Sequence, residues 1–192
     1  MKTYKDILLA QVDDIENLFN TIFAENNICQ IIEIGTNRGG LSILLSDIAP
    51  KNCQILTLDI SSGFLKFNPK DYEHNLKFVA ADCFNAGKDL IVSWIQKNGQ
   101  TLLLCDGGFK NEEFNLYSRY LKLDDIILLH DYIDNPNIWG ETCGKYGWTT
   151  RPESSRVAIQ NSIQQYGLEE YQYEYACHHL WGCFKRTEPC HT

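Results

Sequence analysis

Short apolar runs recur along the chain at an almost constant spacing, and each run ends in an acidic residue. These acidic residues follow one another every 23 to 26 positions and are Glu33, Asp59, Asp82, Asp106 and Asp131. A strand of about five residues, a helix and two loops fill such a stride. Because the runs are apolar on both faces, they are typical of parallel strands covered by helices. The pattern therefore predicts an α/β fold with a doubly wound, mostly parallel sheet.

Helical patterns occupy most of the stretches between these strands. Their apolar residues recur with the spacing of one helix face, over residues 41–48, 88–97, 111–121 and 152–166. Asn111 is predicted as an N-cap and Gly167 as a C-cap. The last two predicted strands, 171–177 and 180–185, are only a few residues apart, so they must pair as an antiparallel hairpin. Together with the parallel strands, this hairpin gives a sheet of seven strands.

Two further segments complete the predicted organisation of the chain. Residues 1–27 combine two lysines and a short apolar stretch with acidic residues, which predicts an N-terminal amphipathic helix and not a signal peptide. Residues 134–150 contain Pro136, three glycines and two tryptophans, and we expect a loop that acts as a lid. The chain shows no repeats or linker, so the prediction is a single domain over residues 1–192. The N-terminal helix also offers a surface for a homo-oligomer.

Charge and cysteine content narrow the classes of function. The chain carries 17 Lys and Arg against 25 Asp and Glu, a net charge of −8. Affinity for nucleic acid comes from clustered Lys and Arg, so we expect no nucleic-acid partner. No apolar run approaches the roughly 18 residues of a membrane span, so we expect no membrane partner. The eight cysteines include no C-x-x-C pair, which indicates free thiols in the reducing cytoplasm. A zinc site near the C-terminus stays open as an alternative, built from Cys177, His178, His179, Cys183 and Cys190.

The loop after the first predicted strand carries the signal for a cofactor. It reads Glu33-Ile-Gly35-Thr-Asn-Arg-Gly39-Gly40 and opens the first helix between the strands. Glycine lets the backbone turn sharply and approach a ligand closely, and a helix N-terminus presents free N–H groups. The loop lacks the G-x-G-x-x-G order of a dinucleotide fingerprint and the Lys-Ser/Thr pair of a phosphate loop. Both of those interpretations are weakened, and neither is excluded.

From about residue 28 to the end, the chain resembles the class I S-adenosylmethionine (SAM)-dependent methyltransferases. Their first motif is E/D-x-G-x-x-x-G, which residues Glu33 to Gly39 match. The resemblance implies a Rossmann-like methyltransferase fold that binds SAM. In that fold Asp59 would accept hydrogen bonds from both ribose hydroxyls, and Asp82 would accept one from the adenine amino group. Glu33 would orient the glycine loop or the ammonium group of the methionine part. Ile60 would pack on the adenine. The other cofactor-binding residues that the resemblance implies are Gly35, Thr36, Gly39, Gly40 and Cys83.

A second set of polar residues follows the fourth and fifth predicted strands. Asp106 and Lys110 follow one strand, and His130 and Asp131 end the next. Ligands bind at the carboxyl ends of the strands in open α/β sheets. Two carboxylates that converge there repel each other unless a cation or a proton lies between them. A divalent metal, Mg²⁺ or another, is one solution, and its predicted ligands are Asp106, His130 and Asp131.

Similar acidic pairs occur in metal-dependent small-molecule O-methyltransferases. The pattern here also resembles the sugar and natural-product methyltransferases related to cephalosporin hydroxylase, which often show Asp-Gly-x-His and then an acidic pair after strand five. In this chain Phe109 stands in place of that histidine, and His130 stands in place of the first acid. The usual base is therefore absent. Lys110 or His130 must replace it, or metal coordination alone lowers the pKa of the acceptor hydroxyl.

The sequence therefore predicts an enzyme that transfers a methyl group from SAM to a hydroxyl of a small molecule or sugar. Its predicted catalytic residues are Asp106, Lys110, His130 and Asp131. Two alternatives stay open: a metal-independent methyltransferase with His130 as base, and a nucleotide-binding domain without methyl transfer. An aromatic set around the predicted lid could stack on the acceptor or belong to the core, and it comprises Tyr117, Tyr120, Tyr132, Trp139, Tyr146 and Trp148.

Overall fold

A computed structural model describes residues 2–147 and 152–188 of the chain. Its strands are β1 (Thr3–Tyr4), β2 (Ile7–Leu8), β3 (Ile28–Ile34), β4 (Gln54–Asp59), β5 (Leu76–Ala80), β6 (Gln100–Cys105), β7 (Ile126–His130), β8 (Tyr132–Ile133), β9 (Ser154–Ser155), β10 (Leu168–Glu170) and β11 (Trp181–Arg186). Its α-helices are α1 (Ile15–Glu25), α2 (Gly40–Ile48), α3 (Lys88–Ile95), α4 (Lys110–Tyr117), α5 (Pro136–Tyr146), α6 (Arg156–Gln165) and α7 (Tyr173–His178). Two 3-10 turns lie at Pro69–Tyr72 and Ser118–Tyr120.

Seven strands form the central sheet, in the order β10-β11-β7-β6-β3-β4-β5. The run from β7 to β5 is parallel, whereas β11 pairs antiparallel with both β7 and β10. The inner strands β3, β6 and β7 are buried along almost their whole length, because their Ile- and Leu-rich sequences meet helices on both faces. The prediction of a doubly wound, mostly parallel, seven-stranded sheet is confirmed.

The helices form one layer on each face of this sheet. One hydrophobic cluster joins the sheet to Phe19 of α1 and Leu44 of α2. The other cluster joins it to Ile91 of α3, Phe114 of α4 and Ile159 of α6. All four helices predicted between the strands are present, although their bounds differ by a few residues. The carboxyl ends of β3 to β7 are thereby held at one edge of a rigid frame.

The N-terminal segment is less helical than predicted. Residues 1–27 were expected to form one amphipathic helix, but Thr3–Tyr4 and Ile7–Leu8 form a small antiparallel hairpin before α1 starts at Ile15. Lys5 and Asp6 form the turn of this hairpin with positive φ angles of 47° and 64°, which are incompatible with a continuing right-handed helix. Strand β1 of this hairpin contacts α2, and its Tyr4 packs against the cluster that contains Leu44 of α2.

The C-terminal hairpin also differs from the prediction. Antiparallel pairing occurs, but its first strand is Leu168–Glu170, and most of the predicted strand 171–177 is the helix α7. The alternating tyrosines of this stretch form a pattern that is typical of a strand. Ala176 and Cys177 are the residues of α7 that are buried, and they pack into the clusters on the two sides of the sheet. Tertiary packing therefore decides the structure of this stretch.

The prediction of a lid loop over residues 134–150 is wrong for most of that segment. Residues 136–146 form α5, which begins with Pro136 after the N-cap Asn135 and ends at Gly147 with φ 66°. Proline suits the first helical turn, and a left-handed glycine suits the end of a helix. Trp139 and Cys143, one helical turn apart, are buried in the core. Residues 148–150 lie outside the described residues, and a lid role for this segment stays a prediction.

Two predicted caps shift by one or two positions. The N-cap of α4 is Phe109, not Asn111, because Asn111 lies inside the first turn and donates its amide to the Glu153 carbonyl at 3.1 Å. The C-cap of α6 is Tyr166, and Gly167 follows it with φ 56°. Both shifts leave the helices in place.

Candidate active site

The carboxyl ends of β3 and β6 meet at the point where the strand order reverses. From β3 the chain moves outward to β4 and β5 on one side, then returns to β6 and β7 on the other. Gly35 follows β3 with φ 96°, and a Cβ atom at this position would overlap the backbone carbonyl of Asp106. Glycine is therefore required for the two strand ends to approach each other. Such a switch point is where open α/β sheets bind their ligands.

One cavity of about 240 Å³ lies on the β3–β4–β5 side of this point. Five of the predicted cofactor-binding residues line it, namely Gly35, Asp59, Ile60, Asp82 and Cys83. A smaller cavity of about 30 Å³ adjoins Gly35 on the other side and is lined by the remaining four, which are Glu33, Thr36, Gly39 and Gly40. The structure therefore brings all nine residues to two cavities that share Gly35.

The two carboxylates that were predicted to bind the cofactor, Asp59 and Asp82, also shape the walls of the larger cavity. Asp59 accepts a hydrogen bond from the backbone N–H of Asn37 at 2.8 Å, which fixes the glycine loop. Asp82 accepts from the backbone N–H of Phe84 at 2.8 Å and from the Asn85 amide at 2.6 Å. The bond from Asn85, followed by the bond from Phe84, lowers the pKa of Asp82. Each carboxylate oxygen can accept a further bond, so both groups keep acceptor capacity toward a ligand.

Glu33 is buried beneath the smaller cavity. Its Oε2 atom accepts hydrogen bonds from the hydroxyls of Ser42 and Thr57. Burial raises the pKa of Glu33 to about 8, although both hydroxyl bonds act in the opposite direction. These hydroxyl bonds connect β3 to α2 and β4, and β3 and α2 are the two elements that flank the glycine loop.

Three wall residues of the larger cavity were missed by the sequence analysis. Glu113 is buried and accepts from the backbone N–H groups of Gly107 and Phe109 at 3.2 and 3.3 Å. Burial raises its pKa to about 7. Phe109 is 64% exposed and meets Phe84 edge-to-face at 6.2 Å between ring centroids. An acid in the first turn of α4 was the available signal for Glu113, whereas the pairing of Phe84 with Phe109 had none.

The four predicted catalytic residues lie together at the ends of β6 and β7. The Nδ1 atom of His130 lies 2.7 Å from Oδ1 of Asp106 and 3.6 Å from Oδ2 of Asp131. The ammonium of Lys110 lies 3.4 Å from Oδ2 of Asp131 and 4.0 Å from Oδ1 of Asp106. Glu153, which was not predicted, contacts the same ammonium at 2.5 Å. The side chain of Lys110 therefore places a cation beside both aspartates.

The surrounding carboxylates favour the charged forms of two of these groups, Lys110 and His130. Burial lowers the pKa of Lys110, but the nearby carboxylates, Asp106 first, raise it by more, so the net shift is upward. Burial also lowers the pKa of His130, but the Asp106 carboxylate raises it by more, so the net shift is again upward. A lysine that is more basic than usual is poorly placed to remove a proton at neutral pH. This argues against the predicted role of Lys110 as a base.

His130 is enclosed by the core and does not face open solvent. It is 5% exposed, and its ring lies 4.6 Å from the Trp181 ring. Its Nε2 atom is buried and has no hydrogen-bond partner among the residues that the structure describes. Its Nδ1 atom is already bonded to Asp106. His130 is therefore better placed to hold Asp106 than to meet an acceptor directly.

Gln11 reaches this site from the N-terminal segment. Its amide N–H donates to Oδ2 of Asp106 at 3.1 Å, and its amide oxygen accepts from the Trp181 indole N–H at 3.0 Å. Gln11 is almost fully buried. Each oxygen of Asp106 thus has one hydrogen-bond partner, His130 on one and Gln11 on the other. A lone glutamine outside any motif gave no signal in the sequence.

A divalent metal does not fit this arrangement. The ammonium of Lys110 already lies among the carboxylates that were predicted as ligands, and a metal ion there would face a neighbouring positive charge. Within residues 2–147 and 152–188, no group of three or more His, Cys, Asp or Glu side chains is arranged to hold a metal. This also disfavours the zinc alternative, although its Cys190 lies outside the described residues.

The aromatic set belongs in part to the core. Tyr117, Tyr132 and Trp139 are buried, and the hydroxyl of Tyr117 donates to the Cys83 carbonyl below the larger cavity. Tyr120 packs against the cluster that contains Tyr117. The side chain of Tyr146 and all of Trp148 lie outside the described residues.

Comparison with known proteins supports the fold. CmcI, in a structure with Mg and SAM, is 12% identical, with a TM-score of 0.66 over 97% of this chain and 77% of that chain. A protein from Staphylococcus aureus assigned as a caffeoyl-CoA O-methyltransferase is 13% identical, with a TM-score of 0.59 over 96% and 87%. The SAM-bound O-methyltransferase TomG from Streptomyces achromogenes, involved in tomaymycin synthesis, is 11% identical, with a TM-score of 0.56 over 94% and 82%. No protein-family model and no curated protein sequence matches the chain.

The architecture and these similarities define the class of fold. The chain has the Rossmann-like fold of the class I SAM-dependent methyltransferases, as predicted. It resembles CmcI, the caffeoyl-CoA O-methyltransferase and TomG across more than nine-tenths of its length. None of the helices described within residues 2–147 and 152–188 combines the length and apolar character needed to cross a membrane.

Proposed function

We propose that the chain is a SAM-dependent methyltransferase that methylates a hydroxyl group of a small molecule or sugar. The observation that carries this proposal is the larger cavity, where Asp59 and Asp82 stand at neighbouring strand ends beside Gly35. A ribose diol and an amino group both donate hydrogen bonds, and carboxylates accept them. The apolar side chain of Ile60 and the ring of Phe109 offer surfaces for a flat base.

The same cavity is poorly suited to a pyrophosphate. Among the described residues its lining contains carboxylates but neither Lys nor Arg. A pyrophosphate would require positive charge or a glycine-rich loop of the dinucleotide type. A nucleotide-binding domain without methyl transfer is therefore the weaker alternative.

SAM supplies an electrophilic methyl group on a sulfonium, which an oxygen nucleophile displaces in line. The protein contributes proximity and orientation. Gly35 belongs to both cofactor cavities and adjoins Asp106, so it marks the boundary between these cavities and the ends of β6 and β7. The carboxylates of Asp106 and Asp131 are each 16% exposed beyond that boundary. The acceptor hydroxyl would bind there.

Asp131 is the best-placed group to receive the hydroxyl proton. Asp106 is bonded on both oxygens, to His130 and to Gln11. Within the part of the chain that the structure describes, the carboxylate of Asp131 instead makes only longer contacts, at 3.4 Å to Lys110 and 3.6 Å to His130. The alternative with His130 as the direct base would require its ring to leave Asp106. Metal assistance is not part of this proposal, because the ligand set does not fit a metal.

Ligand binding tests this function. We expect S-adenosylhomocysteine, and not NAD, to raise the melting temperature. Asp59→Ala should weaken S-adenosylhomocysteine binding in calorimetry by about 2–3 kcal/mol, because a charge-assisted bidentate contact to the ribose is lost. Glu169→Ala serves as a control, since Glu169 is an exposed acid on the edge strand β10. Equal affinity of the Asp59 variant and the control would refute the assignment.

A further inference from the structure

The side chain of Lys110 occupies an unusual position for a cation. It is 7% exposed, yet its ammonium lies among the carboxylates of Asp106, Asp131 and Glu153. Buried lysines need such partners, because an unpaired charge away from water is costly. The first residue of α4 is Lys110 itself, so the helix directs this side chain from β6 across to β7.

We propose that the Lys110 ammonium is the resident cation of this site, that it excludes a divalent metal, and that it holds the oxygen of the methyl acceptor. This inference rests on the proposed function. It differs from the sequence-based expectation in two respects. The cation is part of the chain, and Lys110 acts as a hydrogen-bond donor and not as a base.

The backbone around Asp131 fixes its carboxylate toward Lys110. Asp131 has a φ of 50°, which breaks the strand direction directly after β7. Its carbonyl accepts from the backbone N–H groups of Glu153 and Ser154, each at 3.1 Å. The short parallel pairing of β8 with β9 continues this contact. The same backbone bonds therefore position both Asp131 and Glu153 beside the ammonium.

The distances leave donor capacity on Lys110. An ammonium has three N–H donors, and the only contact within ordinary hydrogen-bond length that the described residues give it is Glu153 at 2.5 Å. The contacts to Asp131 at 3.4 Å and Asp106 at 4.0 Å are long for hydrogen bonds. An acceptor hydroxyl fits this gap chemically, because its oxygen can accept from Lys110 while its proton is donated to Asp131.

The resulting step balances in atoms and charge. A bond forms between the acceptor oxygen and the methyl carbon, and the carbon–sulfur bond breaks with its electron pair left on sulfur. The sulfonium becomes a neutral thioether. The hydroxyl proton moves to the Asp131 carboxylate. Lys110 keeps its protons throughout and stabilises the charge that develops on oxygen.

Manganese binding tests the proposal without knowledge of the acceptor. The protein is saturated with S-adenosylhomocysteine and titrated with Mn²⁺, and the free ion is measured by electron paramagnetic resonance. We expect the unaltered chain to show no stoichiometric binding. Lys110→Ala should bind one Mn²⁺ per chain at least tenfold more tightly, because the carboxylates of Asp106, Asp131 and Glu153 then lose the ammonium that lies among them and can close around an ion. Asp131→Asn added to Lys110→Ala should abolish that binding.

Every outcome decides the question. One Mn²⁺ bound to the unaltered chain, and lost in Asp131→Asn, would show a metal site and overturn the proposal. Failure of Lys110→Ala to gain Mn²⁺ would also overturn it, since the ammonium would not be what excludes the ion. Lys110→Met fills the same space without charge and replaces the alanine variant if that variant does not fold. Lys185→Ala, which breaks a surface pair with Asp124, should gain no Mn²⁺.

Calorimetry with S-adenosylhomocysteine on the same proteins separates this inference from the proposed function. Lys110→Ala should keep its affinity within about twofold, because Lys110 lines neither of the two cavities at Gly35. If the unaltered chain does not bind S-adenosylhomocysteine, the proposed function fails. If it binds the ligand but the manganese results are reversed, only the role of Lys110 fails.

Discussion

The two halves of the candidate site are built in different ways. The cofactor half, at the ends of β3, β4 and β5, consists of a glycine loop and carboxylates that bond mainly to backbone N–H groups. The acceptor half, at the ends of β6 and β7, is a network of paired side-chain charges centred on Lys110. Backbone geometry thus shapes one half, and long-range ion pairs shape the other. Substitutions should therefore affect the two halves through different observables.

The largest effect is expected at the junction of the halves. Gly35→Ala should lower the free energy of unfolding by about 3–4 kcal/mol, because a side chain at positive φ would also collide with a backbone carbonyl. Urea denaturation measures this. Gly108 has nothing within 4 Å of an added Cβ, so Gly108→Ala should change stability by less than about 0.5 kcal/mol. Similar losses in both variants would contradict the junction described for Gly35.

The next effect concerns the buried acid of the cofactor half. Folding raises the pKa of Glu33 from 4.5 to about 8, so the folded state binds this proton more tightly than the unfolded state. Its contribution to stability is complete below pH 4.5 and is lost as the pH rises through 8. Each unit of pKa shift corresponds to about 1.4 kcal/mol, so the loss is of the same order as that expected for Gly35→Ala.

Glu33→Gln should remove most of this pH dependence. Thermal unfolding between pH 5 and pH 9 is the measurement, and the variant should lose less stability toward pH 9 than the unaltered chain. Part of the slope should persist, because the pKa of Glu113 is also raised, to about 7. An unchanged slope would mean that Glu33 is ionised in the folded protein.

A smaller effect is expected where the N-terminal segment enters the acceptor half. Gln11→Leu leaves the Trp181 indole N–H and one oxygen of Asp106 without this partner, and should cost about 1–2 kcal/mol of stability. Gln164 is exposed on α6, so Gln164→Leu provides a neutral comparison. Chemical denaturation of both variants measures the difference. Equal stability would show that the bridge through Gln11 is not formed in solution.

The smallest effect is expected at the rim of the larger cavity. Phe109→Ala should weaken S-adenosylhomocysteine binding by about 0.5–1 kcal/mol, because a stacking surface is lost while the fold is kept. Phe64 is as exposed as Phe109 but is not among the residues that line the cavity. Phe64→Ala should therefore leave the affinity unchanged in titration calorimetry, and a matching loss would remove Phe109 from the site.

Strand positions could be predicted because the physics that places them is local. The runs that end at Glu33 and Asp106 are apolar on both faces, and parallel pairing brings their carboxyl ends to one edge. The positions of Asp59 and Asp131 follow from the same rule. This is why the fold and the positions of the acidic strand ends could be predicted from spacing, whereas the roles of the cofactor-binding residues came from the resemblance to the class I methyltransferases.

The contacts that complete the acceptor half could not be predicted in this way. Gln11 lies 95 residues from Asp106, and Glu153 lies 43 residues from Lys110, and neither belongs to a recognisable motif. The helix α7 was missed because alternating tyrosines suggest a strand until the packing of Ala176 and Cys177 is known. Long-range packing, and not local preference, determined these features.

The bridge from Trp181 through Gln11 to Asp106 has a consequence for biosynthesis. The most N-terminal and the most C-terminal parts of the site come together only when β11 is in place beside β7. During translation the glycine loop and the strands up to β7 can emerge from the ribosome long before Trp181 does. Until then His130 lacks the indole that packs on its ring, and Gln11 lacks the donor that fixes it beside Asp106, so the acceptor half is completed only after β11 has been synthesised.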